Sequence, residues 1–228
     1  MRNTPNAALM FAAGFGTRMK ELTKDQPKPM IRVAGKPLID HAITLLEGTD
    51  VTKIVANLHY KPDSLRTHLE GKGVLTIEET PDILETGGGL RNALGLLGSA
   101  PVFTLNTDAI WQGPSPVPML AEMWDPTKMD ALLIGIPIAQ AEGYIGNGDF
   151  TIAQNGTLTR GLGLIFGGVQ IIKTDLLAEI PNKSFSLNLL WDKMLAKGRL
   201  YGLPYPGRWC DVGHPEGITL AEKMLSNV

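Results

Sequence analysis

The first half of the chain alternates short apolar runs with longer segments in which apolar residues recur every three or four positions. The apolar runs are AALMFAA (7–13), KIVANLH (53–59), VLTIEE (74–79) and PVFTLN (101–106). The segments with helical spacing are PLIDHAITLLEG (37–48), PDSLRTHLEG (62–71) and LRNALGLLG (90–98). Nearly continuous apolar strands separated by helices are typical of parallel strands that are covered by helices on both faces. The pattern therefore predicts a layered α/β domain.

The second half of the chain is less regular, and its pattern indicates antiparallel strands. We expect a helix near Met119–Trp124, a strand in DALLIGIP (130–137), a hairpin in GDFTIAQNGTLT (148–159) and a strand in LGLIFGGVQII (162–172). Asn155 and Gly156 are the expected hairpin turn. Ser186 is the expected cap of a helix that ends at Gly198, and a last helix is expected near Pro215. No repeat or clear linker divides the chain, so we predict one domain with two lobes.

Composition narrows the class of protein. Of the 228 residues, 43% are hydrophobic and 19% are charged, and the formal net charge is −2, as in an ordinary globular protein. The sequence has no excess of basic residues that would indicate a nucleic-acid partner. No apolar stretch is long enough to span a membrane. The single Cys210 excludes an internal disulfide framework and favours a reducing compartment, so a cytoplasmic location and a small packed thiol are expected.

Ligands of parallel α/β sheets collect beyond the carboxyl ends of the strands. This rule selects four segments for candidate chemistry: residues 13–29, 80–89, 107–111 and the turn that ends RWCDVG (208–213).

The glycine loop AAGFGTRM (12–19) fits a phosphate site but neither of the common phosphate-binding motifs. A dinucleotide turn requires a third glycine where Met19 stands and an acid at the end of the second strand, and a P-loop string is absent. Successive backbone N–H groups in a glycine turn form an anion-sized concavity, and Arg18 adds a planar fork for phosphate oxygens. Lys28 lies between Pro27 and Pro29, which stiffen its backbone. Polyphosphate is the expected ligand; the alternative is a tight turn with a surface arginine and lysine.

Four motifs together resemble the sugar-1-phosphate nucleotidyltransferases. They are AAGFGTRM with PKPMIRVAGKPLI (12–39), LETGGGL (84–90), NTD (106–108) and WCDVGHPE (209–216), and they extend over nearly the whole chain. Within that family, LETGGG, GDF (148–150) and the short length are most similar to the uridylyltransferases of N-acetylmuramate 1-phosphate. The resemblance implies a three-layer Rossmann-like domain with a mostly parallel mixed central sheet. It also implies a single domain, 1–228, with a nucleotide-binding half (1–110) and a sugar-binding half (111–228).

The same resemblance implies the reaction and its participants. A sugar 1-phosphate would attack the α-phosphorus of a nucleoside triphosphate, with UTP favoured, and release pyrophosphate. The product would be a nucleotide sugar for cell-wall recycling, Mg²⁺ would be the cofactor, and no protein partner is predicted. Two departures from the family pattern are a Glu21-Leu22-Thr23 segment where members commonly have Pro-Leu-Thr, and the absence of any lysine between Gln140 and Gln170. The second departure leaves the sugar substrate open.

Site residues are carried over from the resemblance motif by motif. The catalytic residues are expected to be Arg18, which would bind the β and γ phosphates, Lys28, which would meet charge on the transferred phosphoryl group, and Asp108. Asp108 and Asp211 are the expected Mg²⁺ ligands. The expected nucleotide-binding residues are Ala13, Gly14, Gly16, Thr17, Arg18, Lys28, Glu85, Thr86, Gly87 and Asn106, and the expected sugar-binding residues are Asn147, Asp149 and Gly168. Either Arg160 or Arg208 would contact a lactyl carboxylate.

Three alternatives stay open at this point. A mannose- or heptose-1-phosphate guanylyltransferase would share the chemistry and differ in base and sugar. A catalytically silent nucleotide sensor would share the fold, and an NAD-dependent oxidoreductase is the third alternative.

Overall fold

The computed structural model of the protein describes residues 4–226. The strands are β1 Ala7–Phe11, β2 Arg32–Val33, β3 Lys36–Pro37, β4 Lys53–Leu58, β5 Leu75–Glu78, β6 Val102–Asn106, β7 Ala109–Gln112, β8 Ala131–Pro137, β9 Ala141–Glu142, β10 Phe150–Ile152, β11 Leu158–Arg160, β12 Leu164–Ile172, β13 Leu200–Pro204 and β14 Arg208–Asp211. The helices are α1 Leu38–Thr44, α2 Pro62–Glu70, α3 Glu85–Leu97, α4 Pro116–Met123, α5 Asn188–Ala196 and α6 Pro215–Ser226. Short 3-10 turns occur at Thr17–Thr23 and Lys28–Met30.

A nine-stranded mixed sheet forms the centre of the fold. Strands β5, β4, β1 and β6 are parallel neighbours in that order, as the alternating apolar pattern predicts. Strand β12 runs antiparallel to β6, and β8 runs antiparallel to β12 with β13 parallel beside it. The predicted hairpin is also confirmed: β10 and β11 pair antiparallel, and the Asn155 side chain accepts a hydrogen bond from the Thr157 N–H within the turn.

Alternating side chains on the strands fill two separate cores, one on each face of the sheet. Ala8 and Met10 of β1 belong to the core that packs under α1, α2 and α4, whereas Ala7 and Leu9 belong to the core that packs under α3 and α5. Successive strand residues point to opposite faces, so this division follows from the continuous apolar run of β1. The result is the predicted three-layer α/β architecture, with helices on both faces of a mixed sheet.

A second, three-stranded sheet lies beyond the end of β6. Strand β7 pairs antiparallel with β14, and β9 pairs parallel with β14 on the other side. Helix α6 packs on this small sheet through a third apolar cluster that contains Ala221 and Met224. Cys210 of β14 is fully buried in that cluster, and burial raises the pKa of its thiol to about 12, which fits a packed residue.

Two boundaries differ from the sequence-based expectation. Helix α3 begins at Glu85, so it includes the glycine run that the sequence suggested as a loop. Helix α5 begins at Asn188 with Leu187 in the N-cap position, so the expected cap residue Ser186 lies one position earlier, where its hydroxyl accepts the Asn188 N–H. Among residues 4–226 no helix is long and apolar enough to cross a membrane.

Candidate active site

Two neighbouring cavities open at the carboxyl ends of the parallel strands. The first has a volume of about 210 Å³ and is lined by Phe11, Ala13, Gly14, Asn57, Glu79, Ile83, Glu85, Thr86, Asn106, Thr107 and Asp108. The second has a volume of about 380 Å³; its polar lining residues include Arg18, Asp108, Tyr144, Asp149, Arg160, Asn188 and Asp211. Phe11, Thr86, Asn106 and Asp108 line both cavities, so the two spaces adjoin.

The glycine loop connects β1 to the first 3-10 turn, and its two glycines serve different purposes. Gly16 adopts a left-handed conformation with φ +63°, and a Cβ there would lie 2.9 Å from the Cβ of Lys28. Glycine at this position therefore lets the loop pack directly against the Lys28 side chain. Gly14 faces open space at a cavity wall, where a ligand can approach its backbone.

Lys28 points into the site and pairs with Asp108. The Lys28 Nζ lies 2.7 Å from Asp108 Oδ2, and the lysine side chain is only 12% exposed. Pro27 and Pro29 on either side of it are buried, so the backbone that carries the ammonium is fixed. The predicted cation is thus brought to the predicted acid, which lines both cavities, and the two residues line a small pocket together with Gly14.

Strand pairing brings Asp108 and Asp211 together. Asp108 immediately precedes β7 and Asp211 is the last residue of β14; Asp211 is opposite Ala109, and the Val212 N–H donates to the Asp108 carbonyl at 2.9 Å. Asp108 lies one position beyond the last residue pair of β7 and β14, and both carboxylates line the larger cavity, where their charges interact. The expected convergence of two acids that are distant in the sequence is present.

Burial, and then the nearby charge of Asp108, raise the pKa of Asp211 above its usual value. Lys28, Arg18 and His214 act in the opposite direction but do not cancel these effects. Arg18 is exposed on the wall of the larger cavity, on the same side as the two acids. The site therefore combines a pair of carboxylates that repel each other with two cationic side chains.

The carboxylate oxygens of the two acids are ligands of the kind that hard divalent cations prefer. Mg²⁺ takes one or two carboxylates and completes its coordination with water and phosphate oxygens. Within residues 4–226 no cluster of three or more His, Cys, Asp or Glu side chains could hold a metal without other ligands. A cation at Asp108 and Asp211 would therefore take its remaining ligands from substrate or water.

The other residues predicted to bind the nucleotide lie in three different surroundings. Ala13, Gly14, Glu85, Thr86 and Asn106 line the smaller cavity. Thr17 lines a separate groove with Phe15 and Tyr60, on the outer side of the glycine loop. Gly87 is buried: its N–H donates to the Phe185 carbonyl at 2.8 Å, and a Cβ there would lie 2.3 Å from the Phe185 ring. The structure thus gives Gly87 a packing role within α3.

The three residues predicted to bind the sugar are also in different surroundings. Asp149 lines the larger cavity and accepts the Phe166 N–H at 2.9 Å. Asn147 is exposed, and its carbonyl accepts the Gly163 N–H, which joins two loops. Gly168 has φ +90°, and a Cβ there would lie 2.9 Å from the Asn106 Cβ, so this glycine permits close packing behind the cavity wall.

The structure separates the two candidate arginines. Arg160 lines the larger cavity and lies over the rings of Phe150 and Trp191, at 4.9 and 5.8 Å from their centroids. Its Nε and one terminal nitrogen donate to Asp192 at 3.2 and 2.8 Å, and Asn188 accepts a further hydrogen bond.

Arg208 occupies a different side of β14. It pairs with Glu142 and contacts Gln112, whose side chain donates to the Met224 carbonyl of α6. Residues on a strand alternate between faces, so Arg208 and the buried Cys210 lie on the α6 side. Trp209 and Asp211 are on the cavity side.

Sequence analysis missed several cavity residues, of which Asn57 and Glu79 are the most informative. Both are polar residues at the carboxyl ends of parallel strands, Asn57 within β4 and Glu79 directly after β5. They are almost completely buried, at 3% and 1% exposure, yet both line the smaller cavity. A single amide inside the apolar run KIVANLH was the available signal for the first of them.

Comparison with known proteins agrees with this geometry. The MobA-like NTP transferase domain family matches residues 8–140, more than half of the chain. An N-acetylmuramate alpha-1-phosphate uridylyltransferase of Caulobacter vibrioides is 38% identical over 240 residues, which cover 99% of each chain. The chain therefore belongs to the MobA-like NTP transferase family. It is a sugar-1-phosphate nucleotidyltransferase.

Other similar proteins are named for a different activity or were solved with a different nucleotide. A probable mannose-1-phosphate guanylyltransferase 3 of Oryza sativa is 27% identical over 230 residues; the match covers 91% of this chain and 61% of the relative. The crystal structure of HddC from Yersinia pseudotuberculosis complexed with GMP-PN superposes with a TM-score of 0.76 at 23% identity, covering 96% of this chain and 99% of HddC. At that identity the likeness to HddC shows the fold alone.

The raised pKa of Asp211 generates a prediction about stability. Because the pKa in the folded protein is above the unfolded value of about 3.9, the ionised side chain costs stability as pH rises through the folded pKa. Replacing Asp211 by Asn removes that cost, so Asp211→Asn should raise the Tm at pH 7.5. The increase should be smaller at pH 4, because protonation of the Asp211 carboxyl in the folded protein removes the same charge.

The measurement is thermal unfolding in a chelating buffer at both pH values. Asp82→Asn, at an exposed position away from the carboxylate pair, is the matched control and should leave the Tm unchanged. A wild-type protein that is more stable than Asp211→Asn at pH 7.5 would contradict the predicted repulsion.

Proposed function

We propose that this protein transfers the uridylyl group of UTP to N-acetylmuramate 1-phosphate and releases pyrophosphate. The observation that carries the proposal is the convergence of Asp108 and Asp211 on the wall of the larger cavity, with the Lys28 ammonium paired to Asp108 next to the open glycine loop. That arrangement supports a reaction between two anions, because it supplies opposite charge and fixed positions without a covalent nucleophile.

The chain's own residues position the triphosphate. Backbone N–H groups of the glycine loop and the Arg18 guanidinium bind the β and γ phosphates, which leave together as pyrophosphate. Lys28 faces the α-phosphoryl group and stabilises its developing negative charge. An oxygen of the sugar phosphate forms the new bond to the α-phosphorus, the bond to the bridging oxygen of pyrophosphate breaks, and no proton needs to be moved.

Asp108 and Asp211 would hold Mg²⁺. Two carboxylates that repel each other across paired strands fit a divalent cation, since the cation removes the repulsion. When bound, Mg²⁺ would neutralise phosphate oxygens around the α-phosphorus. Lys28 contacts the same Asp108 carboxylate, and so the ammonium is held next to the metal position.

Support for the sugar comes from Arg160 and from the Caulobacter relative. N-acetylmuramate differs from N-acetylglucosamine by a lactyl ether that carries a carboxylate, and of the two arginines considered for this carboxylate, Arg160 lines the larger cavity. Two of its nitrogens are directed to Asp192 and Asn188, so the remaining terminal nitrogen is available. The guanidinium also packs against the rings of Phe150 and Trp191, at 4.9 and 5.8 Å from their centroids, which restricts its position. Trp191 is fixed in turn by a buried hydrogen bond to Gln170.

A guanylyltransferase of mannose 1-phosphate is the second candidate function. The activity for which the Oryza relative is named favours this candidate. That relative is less similar to this chain than the Caulobacter protein is, and it is considerably longer than this chain. Both candidates share the phosphate chemistry described above, so the acceptor and the base decide between them.

A matrix of four nucleoside triphosphates against sugar 1-phosphates, with Mg²⁺, tests the proposed function. Pyrophosphate release should be greatest with UTP and N-acetylmuramate 1-phosphate. Preference for GTP with mannose 1-phosphate would support the second candidate, and binding of triphosphates without release for any sugar would indicate a silent sensor. In the productive pair, Lys28→Ala should lower kcat by ~10²–10³ because a preorganised donor is lost. Lys24→Ala, an exposed lysine paired only with Glu21, is the matched control.

Arg160 generates a separate prediction about the acceptor. Loss of one hydrogen bond between charged groups costs about 1.5–3 kcal/mol, which is roughly a 10–100-fold effect. Arg160→Ala should therefore lower the ratio of kcat/KM for N-acetylmuramate 1-phosphate to that for N-acetylglucosamine 1-phosphate by that factor. Arg208→Ala should leave the ratio unchanged, because Arg208 lies on the α6 side of β14. An unchanged ratio in Arg160→Ala would refute the assigned contact.

A further inference from the structure

A buried polar bridge spans the wall of the smaller cavity and joins the glycine loop to the start of α3. The Ala12 N–H donates to Asn57 Oδ1 at 2.9 Å, Asn57 Nδ2 donates to Glu79 Oε1 at 2.6 Å, and the Leu84 N–H donates to Glu79 Oε2 at 2.7 Å. Gly89 leaves room for the bridge, because a Cβ there would lie 2.7 Å from both Asn57 Nδ2 and Glu79 Oε1. Burying an amide and a carboxylate in this way is costly unless their hydrogen-bonding groups are used.

The bridge fixes the orientation of the Asn57 amide. Its oxygen must face the Ala12 N–H, and its nitrogen must face the Glu79 carboxylate, since a carboxylate only accepts. One hydrogen of the Asn57 NH₂ is then still available to donate. The Glu79 oxygens each accept one hydrogen bond within the bridge and retain lone pairs that can accept another.

The cavity wall therefore presents one donor beside one acceptor. Both side chains line the cavity that also contains Glu85, Thr86 and Gly14 of the glycine loop, residues that the sequence predicts to bind the nucleotide. With the triphosphate held by the glycine loop, as in the proposed function, the nucleobase would lie in this cavity. A neighbouring C=O and N–H on a base edge would complete this pair. Uracil has that edge at O4 and N3–H, and thymine and the O6 and N1–H of guanine share it. Cytosine and adenine have the opposite order, an NH₂ beside an unprotonated ring nitrogen.

We propose, on the basis of the proposed function, that Asn57 and Glu79 select triphosphates whose base carries adjacent C=O and N–H groups and reject cytosine and adenine. Asn57 donates to the base carbonyl and Glu79 accepts the ring N–H. Opposite polarity places donor against donor and acceptor against acceptor, and each group then loses its hydrogen bond in a buried site.

Exchanging the two polar functions tests the proposal without changing charge or shape. In Asn57→Asp/Glu79→Gln, the carboxylate introduced at position 57 still accepts from the Ala12 N–H. The amide introduced at position 79 donates to that carboxylate, and its oxygen accepts from the Leu84 N–H. The bridge keeps its three hydrogen bonds, but the cavity now presents an acceptor at position 57 and a donor at position 79. The ratio of kcat/KM for UTP to that for CTP, measured by pyrophosphate release, should fall by at least about 100-fold relative to wild type.

Two other outcomes can be distinguished from the expected fall in the UTP to CTP ratio. An active wild type and a folded double variant with an unchanged UTP to CTP ratio would overturn the selection role and leave the bridge purely structural. No pyrophosphate from the wild type with any triphosphate would instead contradict the proposed function.

If the double variant does not fold, wild type with modified triphosphates gives the answer. N3-methyl-UTP lacks the ring N–H and should be used at least about 100-fold less well than UTP, whereas 5-methyl-UTP, which keeps the edge, should be used nearly as well. Equal use of UTP and N3-methyl-UTP would overturn the proposal.

Discussion

The pairing of β7 with β14 is the constraint on which the site depends. It sets Asp108 and Asp211 next to each other, half-removed from water, and their repulsion adds to the effect of burial on the pKa of Asp211. Like charges in this arrangement destabilise the fold unless cations compensate them. Lys28 and Arg18 supply part of that compensation from the glycine loop and the turn that follows it. A divalent cation bound between the carboxylates would supply further positive charge. Its binding, together with its phosphate ligands, would relieve the repulsion between the two carboxylates, and this relief would contribute to the affinity for the proposed substrates.

The large sheet positions the remaining parts around this pair. Parallel strands β1, β4, β5 and β6 end at one edge, and each contributes polar groups to the cavities at or just beyond its last residues. The antiparallel strands β8 and β12 extend the same sheet. The hairpin that β10 and β11 form places Asp149 and Arg160 at the wall of the larger cavity. In the proposed function, phosphate chemistry would take place between the smaller cavity, which would receive the base, and the larger cavity, which would receive the acceptor.

Much of this arrangement was accessible from the sequence because it follows from periodicity. Near-continuous apolar strands predicted the parallel sheet, and the carboxyl-end rule selected the segments that contain Arg18, Lys28 and Asp108. The pairing of β7 with β14 was not readable in the same way, since its two strands are about a hundred positions apart and short. The carboxyl-end rule also selected the turn at Asp211, whereas the role of both aspartates as metal ligands came from the family resemblance.

Glycine and isolated polar residues mark the limit of sequence interpretation. Gly14 faces a cavity, whereas Gly87 and Gly168 allow close packing against Phe185 and Asn106. The sequence shows only that each residue is glycine and does not distinguish these roles. Asn57 is a single amide within the apolar part of β4, Glu79 follows Glu78 just after β5, and only the fold shows that they meet. Their role depends on a hydrogen-bond network between residues that are distant in sequence, which no local pattern encodes.

Anomalous diffraction from crystals grown with Mn²⁺ and UTP is the most direct test of the two-carboxylate centre. We predict one manganese peak within coordinating distance of both the Asp108 and Asp211 side chains, with triphosphate oxygens completing its shell. A manganese ion held by the triphosphate alone, or by carboxylates elsewhere in the fold, would contradict the proposed site.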